Sequence, residues 1–274
     1  MLLAYQADPP LFESPPLSWD TLGWLLLRTL ALAVIVSVCS LGLGTWLAWL
    51  ETRCEYRGRA LLALASTLPL AVPSYLMAAV IRETMAPRGA LGDLFGTSEP
   101  FTGLAAAAFV LTLSCTPYVH VLVRSAISQT SSSAEEAAQL LGATTWRRFI
   151  NLTVPQLRPT WAFALVIVSF YVISDFGAVA VLDCEVLTWA LYQSRHDPRD
   201  AVQIGALIIL VVIPTMMMIR SLHGHVEVTR DMGHARPLGR IELSTRDSIL
   251  AYLSHGLIIL PGLVLPLIAL IGWV

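Results

Sequence analysis

The chain has 274 residues, of which 56% are hydrophobic and only 13% are charged, and its formal net charge is −2. A soluble domain carries roughly 25% charged residues, so this composition excludes an ordinary water-soluble fold and indicates that lipid is the solvent. The small net charge gives no sign of a nucleic-acid partner.

Six stretches are long and apolar enough to cross a bilayer as helices, since one crossing takes about 20 apolar residues. No stretch alternates apolar and polar residues over the length of a barrel strand, so an all-α, polytopic helix bundle is expected. Within the six spans the only carboxylate is Asp175, and His120 is interpreted as a satisfied interior histidine. The predicted spans are Thr29–Leu50, Ala60–Ile81, Gly103–Val123, Trp161–Leu182, Ala201–Ile219 and Ile249–Val274.

The arginines are distributed unevenly among the segments that join the spans. Twelve lie in the segments after the first, third and fifth spans, four lie after the second and fourth, and residues 1–20 have none. Because positive residues favour the cytoplasmic side, we expect residues 1–20 outside and the segment after the third span inside.

That inner segment contains a spaced motif. It reads Glu136-Ala137-Ala138, three residues, Gly142, nine residues, and then Leu152-Thr153-Val154-Pro155. The spacing resembles the signature loop of permease subunits in ATP-binding-cassette importers, where the loop is a cytoplasmic helix that docks into a separate ATPase subunit. The resemblance implies these ATPase-coupling residues: Glu135, Glu136, Ala137, Ala138, Leu141, Gly142 and Pro155.

The local chemistry of this segment also predicts its shape. Ser132 with Glu135, and Ser133 with Glu136, form overlapping capping boxes that favour a helix start. Gly142 can adopt the left-handed conformation that ends a helix. Either of the two threonines that follow, at positions 144 and 145, can cap the next helix. We therefore expect a short helix, a sharp turn and a second helix that leads to Pro155.

The resemblance implies the type I importer permease fold (MetI-like), with a core of five helices plus one further helix. The implied divisions are a periplasmic tail (1–20), a permease core (21–219) with its coupling loop (131–158), a cytoplasmic linker (220–248) and an additional transmembrane helix (249–274). It places the chain in the bacterial inner membrane. Because that family often fuses two such halves, we expect either a longer, duplicated permease or a separate second half.

Three further stretches resemble permeases for iron(III), the kind paired with periplasmic ferric-binding proteins. They are Leu68–Tyr75, Ser174–Ala178 and Leu187–Tyr192. The resemblance therefore implies iron(III) as the substrate, and thiamine, polyamines and inorganic anions remain the alternatives.

Two of these stretches supply candidate residues of the translocation path. Pro69 and Pro73 each remove a backbone hydrogen bond and bend a helix, which fits either a pore-lining break or a packing kink. Asp175 is costly in lipid, so it either attracts cations along the path or is held by Ser174 or a neighbouring helix. The candidate path residues are Pro69, Pro73, Ser74, Tyr75, Ser174 and Asp175.

No catalytic or metal site is expected in the chain itself. It has no lysine and therefore no Walker motif, so ATP and Mg²⁺ are expected on the partner ATPase. The implied partners are cytoplasmic ATPase subunits, a periplasmic substrate-binding protein, a second permease half and membrane lipid. The rival class is a polytopic intramembrane enzyme, for which Asp175 and the histidines are the only candidate groups.

Overall fold

The computed structural model describes residues 18–87, 89–96, 99–129, 138–194, 198–223 and 240–273. Nearly all of these residues are helical. Three irregular helical turns join helices: a 3₁₀ turn at Leu68–Ala71 and π turns at Phe149–Thr153 and Leu260–Val264. The helices are α1 (Trp19–Arg53), α2 (Arg59–Thr67), α3 (Ser74–Thr84), α4 (Ala90–Phe95), α5 (Gly103–Ser128), α6 (Thr145–Arg148), α7 (Val154–Ser174), α8 (Gly177–Val181), α9 (Leu187–Gln193), α10 (Pro198–His223), α11 (Thr245–Ile259) and α12 (Leu265–Trp273).

Five of the six predicted spans correspond to helical runs that are long and apolar enough to cross a membrane. The runs are Trp19–Arg53, Gly103–Ser128, Phe149–Ser174, Pro198–Met217 and Thr245–Gly272. The polytopic all-α prediction is therefore confirmed for the described residues.

The second predicted span, Ala60–Ile81, is not one continuous helix. Its two halves, Arg59–Ala71 and Ser74–Thr84, meet at an angle of 100°. A residue that precedes proline is forced towards an extended backbone, and Val72, which precedes Pro73, has φ −89° and ψ 119°. The bend that the prolines predicted is therefore present, and it is much sharper than a kink.

The two halves of the bent helix nevertheless reach opposite ends of the bundle. At the start of α2, Arg59 donates to the backbone oxygen of Glu51 at the end of α1. In the last turn of α3, Arg82 forms an ion pair with Asp183 at 2.9 Å, close to where the amide of Gly103 at the start of α5 donates to Leu182. The bent pair thus runs between the two ends, as one interrupted span.

The fourth predicted span, Trp161–Leu182, is also interrupted. Helix α7 ends at Ser174, and Asp175 has an extended backbone with φ −73° and ψ 113° before the short helix α8 begins. Asp175 therefore lies at a helix break rather than inside a helix.

Helix α5 is the centre of the bundle, because 78% of its membrane-length window is buried. It packs mainly against α1 and α7, while α10 covers α7 from outside with only 11% of its own window buried.

The core contains a buried carboxylate that the predicted spans did not include. Helix α1 continues past Leu50, the predicted end of the first span, so Glu51 is buried at 3% exposure. His120 is fully buried, as predicted, and its Nε2 lies 2.7 Å from Glu51 Oε1. It is not fully satisfied, because its Nδ1 has no hydrogen-bond partner among the described residues.

The last helical run makes polar contacts with α1, with α2 and with the segment between them. His255 is fully buried and bonds to the hydroxyl of Tyr56 at 2.8 Å and to that of Ser66 at 2.7 Å. Ser254 accepts a hydrogen bond from Trp46 Nε1 at 2.9 Å. Two very short strands, β1 (Cys54–Glu55) and β2 (Ile241–Glu242), pair in parallel just before this run. The described part of the additional helix is therefore tied to the same bundle as the core.

Candidate functional site

The segment that joins α5 to α7 is described from Ala138 onwards; Glu135, Glu136 and Ala137 lie outside the described residues. Residues 138–140 are helical, and Gly142 follows with φ +78°. The amide of Ala143 donates to the carbonyl of Ala138 at 3.0 Å, and the amide of Gly142 donates to that of Gln139 at 2.9 Å. These two bonds form a Schellman motif, which satisfies carbonyls at a helix end. The predicted left-handed helix end at Gly142 is confirmed.

A second helix follows this turn, as the sequence predicted. The hydroxyl of Thr144 accepts a hydrogen bond from the amide of Arg147 at 3.4 Å, so Thr144 caps α6. The helix then widens into the π turn Phe149–Thr153. Pro155 lies in the first turn of α7, directly after this π turn. The chain therefore passes from the turn into α7 without an interruption.

Two leucines at the end of the first short helix are almost entirely exposed. Leu140 is 89% exposed and Leu141 is 87% exposed, whereas Ala138 is half-buried. A single exposed leucine is ordinary, but two adjacent leucines held on a rigidly capped helix end form a small apolar projection. This projection is a ready contact for another protein.

The second group of candidate residues lies where the two interrupted spans meet. The hydroxyl of Ser74 donates to Asp175 Oδ2, and Asp175 Oδ1 accepts from the amide of Ala178 at 2.8 Å. The carboxylate thus caps α8 and ties it to α3. Ser174 instead donates to the carbonyl of Tyr171 at 3.0 Å, so the partner of Asp175 is a neighbouring helix.

Gly177 allows this junction to close. A Cβ atom on Gly177 would lie 2.9 Å from Tyr75 Cβ, a distance that real Cβ contacts essentially never show. Only glycine therefore lets α8 approach α3 so closely. The break after Val72 and the break at Asp175 are held side by side as a result.

The remaining candidate path residues differ in their surroundings. Tyr75 is 56% exposed, and Pro73 is also exposed. Pro69 is buried, and a Cβ on Gly262 of the last run would lie 3.2 Å from its ring. Pro69 therefore packs against the last helical run, whereas Pro73 and Tyr75 face open space. Of the two alternatives for the bend, Pro69 therefore fits a packing kink. Tyr75 fits a position on an open lining surface.

Two aromatic rings extend the surface next to Asp175. The rings of Phe176 and Tyr192 lie 4.6 Å apart, and both side chains are at least one-third exposed. Both residues belong to stretches that resemble iron(III) permeases, Ser174–Ala178 and Leu187–Tyr192. The local sequence around Phe176 and Tyr192 does not indicate that the two rings are neighbours.

The buried carboxylate of Glu51 was not predicted from the sequence as part of the core. Besides its contact with His120, Glu51 Oε2 lies 3.4 Å from Arg124 Nε. A carboxylate so deeply buried is costly unless it is paired, and here one residue of α1 is paired with two of α5. One feature of the sequence was a usable hint: Glu51 follows the first apolar run directly, and His120 lies close to the end of the third.

The fold and the junction define a class: a polytopic helical membrane protein with interrupted spans, an arrangement that in transporters forms substrate sites. Residues 40–228 match the family model described as "Binding-protein-dependent transport system inner membrane component". The chain belongs to this family. It is accordingly a multi-pass inner-membrane transport component, not an enzyme, and the membrane-enzyme alternative is set aside.

Individual relatives agree with this assignment. The sulfate transport system permease CysW of Escherichia coli K12 is 28% identical over 210 residues, which cover 73% of this chain and 72% of that protein. The Fe(3+)-transport system permease FbpB 2 of Haemophilus influenzae is 28% identical over 169 residues, which cover 62% of this chain but only 31% of that protein.

Solved transporters share the fold. A bacterial alginate ABC transporter, in complex with a pentasaccharide-bound periplasmic protein, matches with a TM-score of 0.60 at 16% identity and covers 78% of this chain and 81% of that one. The MetNI methionine ABC transporter in an inward-facing conformation matches with a TM-score of 0.56 at 17% identity and covers 74% and 95%. The expected type I importer permease fold is confirmed.

Proposed function

We propose that this chain is one permease half of an ATP-driven importer and that iron(III) is its substrate. In this proposal, a periplasmic binding protein delivers the ion, a second permease half completes the path, and cytoplasmic ATPase subunits bind ATP and Mg²⁺. The orientation follows the arginine distribution: Trp19 lies towards the periplasm and residues 138–148 lie in the cytoplasm.

The observation that carries the coupling part of the proposal is the rigidly capped helix end with its two exposed leucines. A helix end fixed by a Schellman motif keeps its shape under load, because its terminal carbonyls are already bonded. Leu140 and Leu141 supply apolar area for an ATPase groove. Trp49 of α1 packs edge-to-face against Phe149, at a centroid distance of 6.2 Å, so movement of the coupling segment (131–158) reaches both α1 and α7.

The junction of Ser74, Asp175 and Gly177 supports the proposed path. Non-helical backbone at membrane depth is tolerated where it lines a cavity or is covered by protein, and here two breaks lie together with Tyr75 exposed beside them. In this proposal, the second permease half faces this surface and the substrate passes between the halves. Alternating access is then a rigid-body movement of one half against the other.

The carboxylate at the junction favours a cation over an anion. Asp175 is only partly buried, and fixed negative charge along a pathway attracts cations and repels anions. The relationship to an Fe(3+) permease points the same way. The rival substrate is an inorganic oxyanion, because the sulfate permease CysW shares a larger part of its length with this chain.

The test is reconstitution of the chain in proteoliposomes with its ATPase, its binding protein and the second half. ATP-dependent uptake of radiolabelled iron(III), sulfate and molybdate is measured in parallel. The proposal expects uptake of iron(III) alone, and saturable sulfate or molybdate uptake without iron(III) uptake would replace the substrate assignment.

A pair of variants separates coupling from folding. Replacing both Leu140 and Leu141 with serine should abolish stimulation of the ATPase by the loaded binding protein. The matched control is Leu94→Ser in α4, since Leu94 is 74% exposed and lies on the far side of the bundle from the coupling segment. Equal activity of the two variants would contradict the coupling role.

A further inference from the structure

A cleft of about 690 Å³ lies between α1 and the helical run that begins at Phe149. Its α1 wall includes Thr45, Trp46 and Trp49, which follow one face of the helix at spacings of three and four residues, and Trp161 of α7 closes the opposite wall. The volume lies within the 300–1,000 Å³ range of small-molecule sites. The side chains that line it are aliphatic or aromatic, except for Thr45.

Two polar atoms of this lining, Thr45 Oγ1 and Trp161 Nε1, are buried and have no hydrogen-bond partner among the described residues. Thr45 is 9% exposed. Other buried or half-buried helical threonines, such as Thr29 and Thr52, donate to the carbonyl four residues earlier. An indole N–H can only donate, and a hydroxyl can also donate. Whatever fills the cleft must therefore bring acceptor oxygens into an apolar site.

The two donors lie at the same depth. Ser37 of α1 and Ser169 of α7 bond to each other at 3.1 Å, which sets the register of these antiparallel helices. Eight residues from that contact along each helix, towards the coupling segment, lie Thr45 and Trp161. Both donors therefore line the cleft at a similar level along the two helices.

The neighbouring residues place this level near a membrane interface. Tryptophan is enriched where hydrocarbon meets headgroups, and Trp46, Trp49 and Trp161 all line this cleft. Arg158 is exposed and lies three residues before Trp161, on the same face of α7 and one turn closer to the coupling segment. Basic side chains at this level attract anionic lipid headgroups. The nearby carboxylate of Glu51 is buried against His120 and Arg124 and does not line the cleft.

We propose that this cleft binds one anionic diacyl phospholipid. One of its acyl chains lies along α1 towards Val38. An ester carbonyl accepts hydrogen bonds from Thr45 Oγ1 and Trp161 Nε1, and the headgroup phosphate lies near Arg158. A helix from the second permease half fits less well, because the backbone carbonyls of a membrane helix are already bonded within it. The ester carbonyls of a phospholipid lie near the membrane interface. They have no internal hydrogen-bond donor, so they are free to accept from Thr45 and Trp161.

The decisive variant fills the cleft without straining the backbone. Gly42 lines the cleft, and a Cβ added there meets no atom within 4 Å, so Gly42→Leu places its side chain where the acyl chain would lie. The matched control is Gly23→Leu, since Gly23 lies on the same helix, also has nothing within 4 Å and is outside the cleft. Thr45→Val with Trp161→Phe forms a third variant, which removes both donors and keeps the apolar shape.

The assembled transporter is equilibrated with vesicles of phosphatidylglycerol and phosphatidylcholine, and retained lipid is counted by native mass spectrometry. Wild type and Gly23→Leu should each retain one phosphatidylglycerol per chain, and Gly42→Leu should retain none. The donor-free variant should bind roughly tenfold more weakly, because two hydrogen bonds are lost. Arg158→Gln should reduce the preference for phosphatidylglycerol about fivefold.

Retention of the same lipid by Gly42→Leu would overturn the proposal. So would disulfide cross-linking of a Gly42→Cys chain to a cysteine introduced in the second permease half, because protein would then fill the cleft. Unchanged affinity in the donor-free variant would likewise show that Thr45 and Trp161 hold no ligand. Elution volume and melting temperature identify any variant that fails to fold, and the remaining variants still decide the outcome.

Discussion

Gly142→Val tests the rigidity of the coupling segment with a single substitution. The backbone at Gly142 has φ +78°, and a Cβ added there meets no atom within 4 Å. The cost of valine is therefore backbone strain alone, since a β-branched residue is disfavoured in the left-handed region by about 1–2 kcal/mol or more. That strain corresponds to roughly a 5–30-fold loss of the capped conformation. We therefore expect the population of molecules with a capped helix end at residues 138–142 to fall.

The assay compares membrane insertion with function in the same sample. Insertion depends on the apolar spans, so Gly142→Val should reach the membrane at the wild-type level. Co-purification of the ATPase and substrate uptake should both fall severalfold. Gly142→Asn is the matched control, because asparagine adopts the left-handed conformation readily, and it should retain most of the activity.

Two outcomes would refute this reasoning. Full uptake by a well-expressed Gly142→Val protein would show that the coupling segment tolerates a different shape. Equal loss in Gly142→Asn and Gly142→Val would show that side-chain bulk at the ATPase contact, and not backbone conformation, is the sensitive property.

Three further predictions concern orientation, the junction and stoichiometry. Cys54 in β1 and Cys184 after α8 lie at opposite ends of the bundle, and both are fully buried. Burial raises the pKa of Cys54 to about 11 and also raises that of Cys184, so neither native thiol should react in intact cells. Introduced cysteines at the exposed positions Arg57 and Gln193 should report instead: an impermeant thiol reagent should label Gln193→Cys and not Arg57→Cys, and the reverse would invert the proposed orientation. Asp175→Asn keeps an acceptor for the α8 cap, so it should retain thermal stability within about 1 kcal/mol while iron(III) uptake falls at least tenfold; unchanged uptake would make the carboxylate purely structural. Active complexes should contain two permease halves, and uptake by a complex with a single copy of this chain and no second half would contradict the half-permease proposal.

The coupling segment could be predicted well because its structure is local. The Schellman bonds join residues three and five apart, and the cap at Thr144 involves Arg147, so the determinants lie within one short stretch of sequence. Gly142 and the following threonines carry this information themselves. The functional role of the segment remains a proposal, since it depends on a partner surface.

The junction could be predicted only in part, because it depends on contacts between distant residues. Pro69 and Pro73 indicated a bend, but the 100° angle is set by packing against α8 and the last helical run. The contact between Ser74 and Asp175 spans 101 residues, and no local pattern specifies it. Glu51 was missed for a related reason: the apolar run ended at Leu50, whereas the helix continued because α5 supplied partners for the next charge.

Helix α7 connects the two candidate sites without a break, and this continuity makes it a lever. Its 21 residues give a length of about 30 Å, with the coupling segment at one end and the Asp175–Ser74 contact at the other. A tilt of roughly 10° about one end of such a rod displaces the other end by about 5 Å. Because Asp175 holds the start of α3, the load falls on the bend after Val72, where the 3₁₀ turn already interrupts the helical ladder. A displacement at the coupling end of α7 would therefore change the angle between the two halves of the second span.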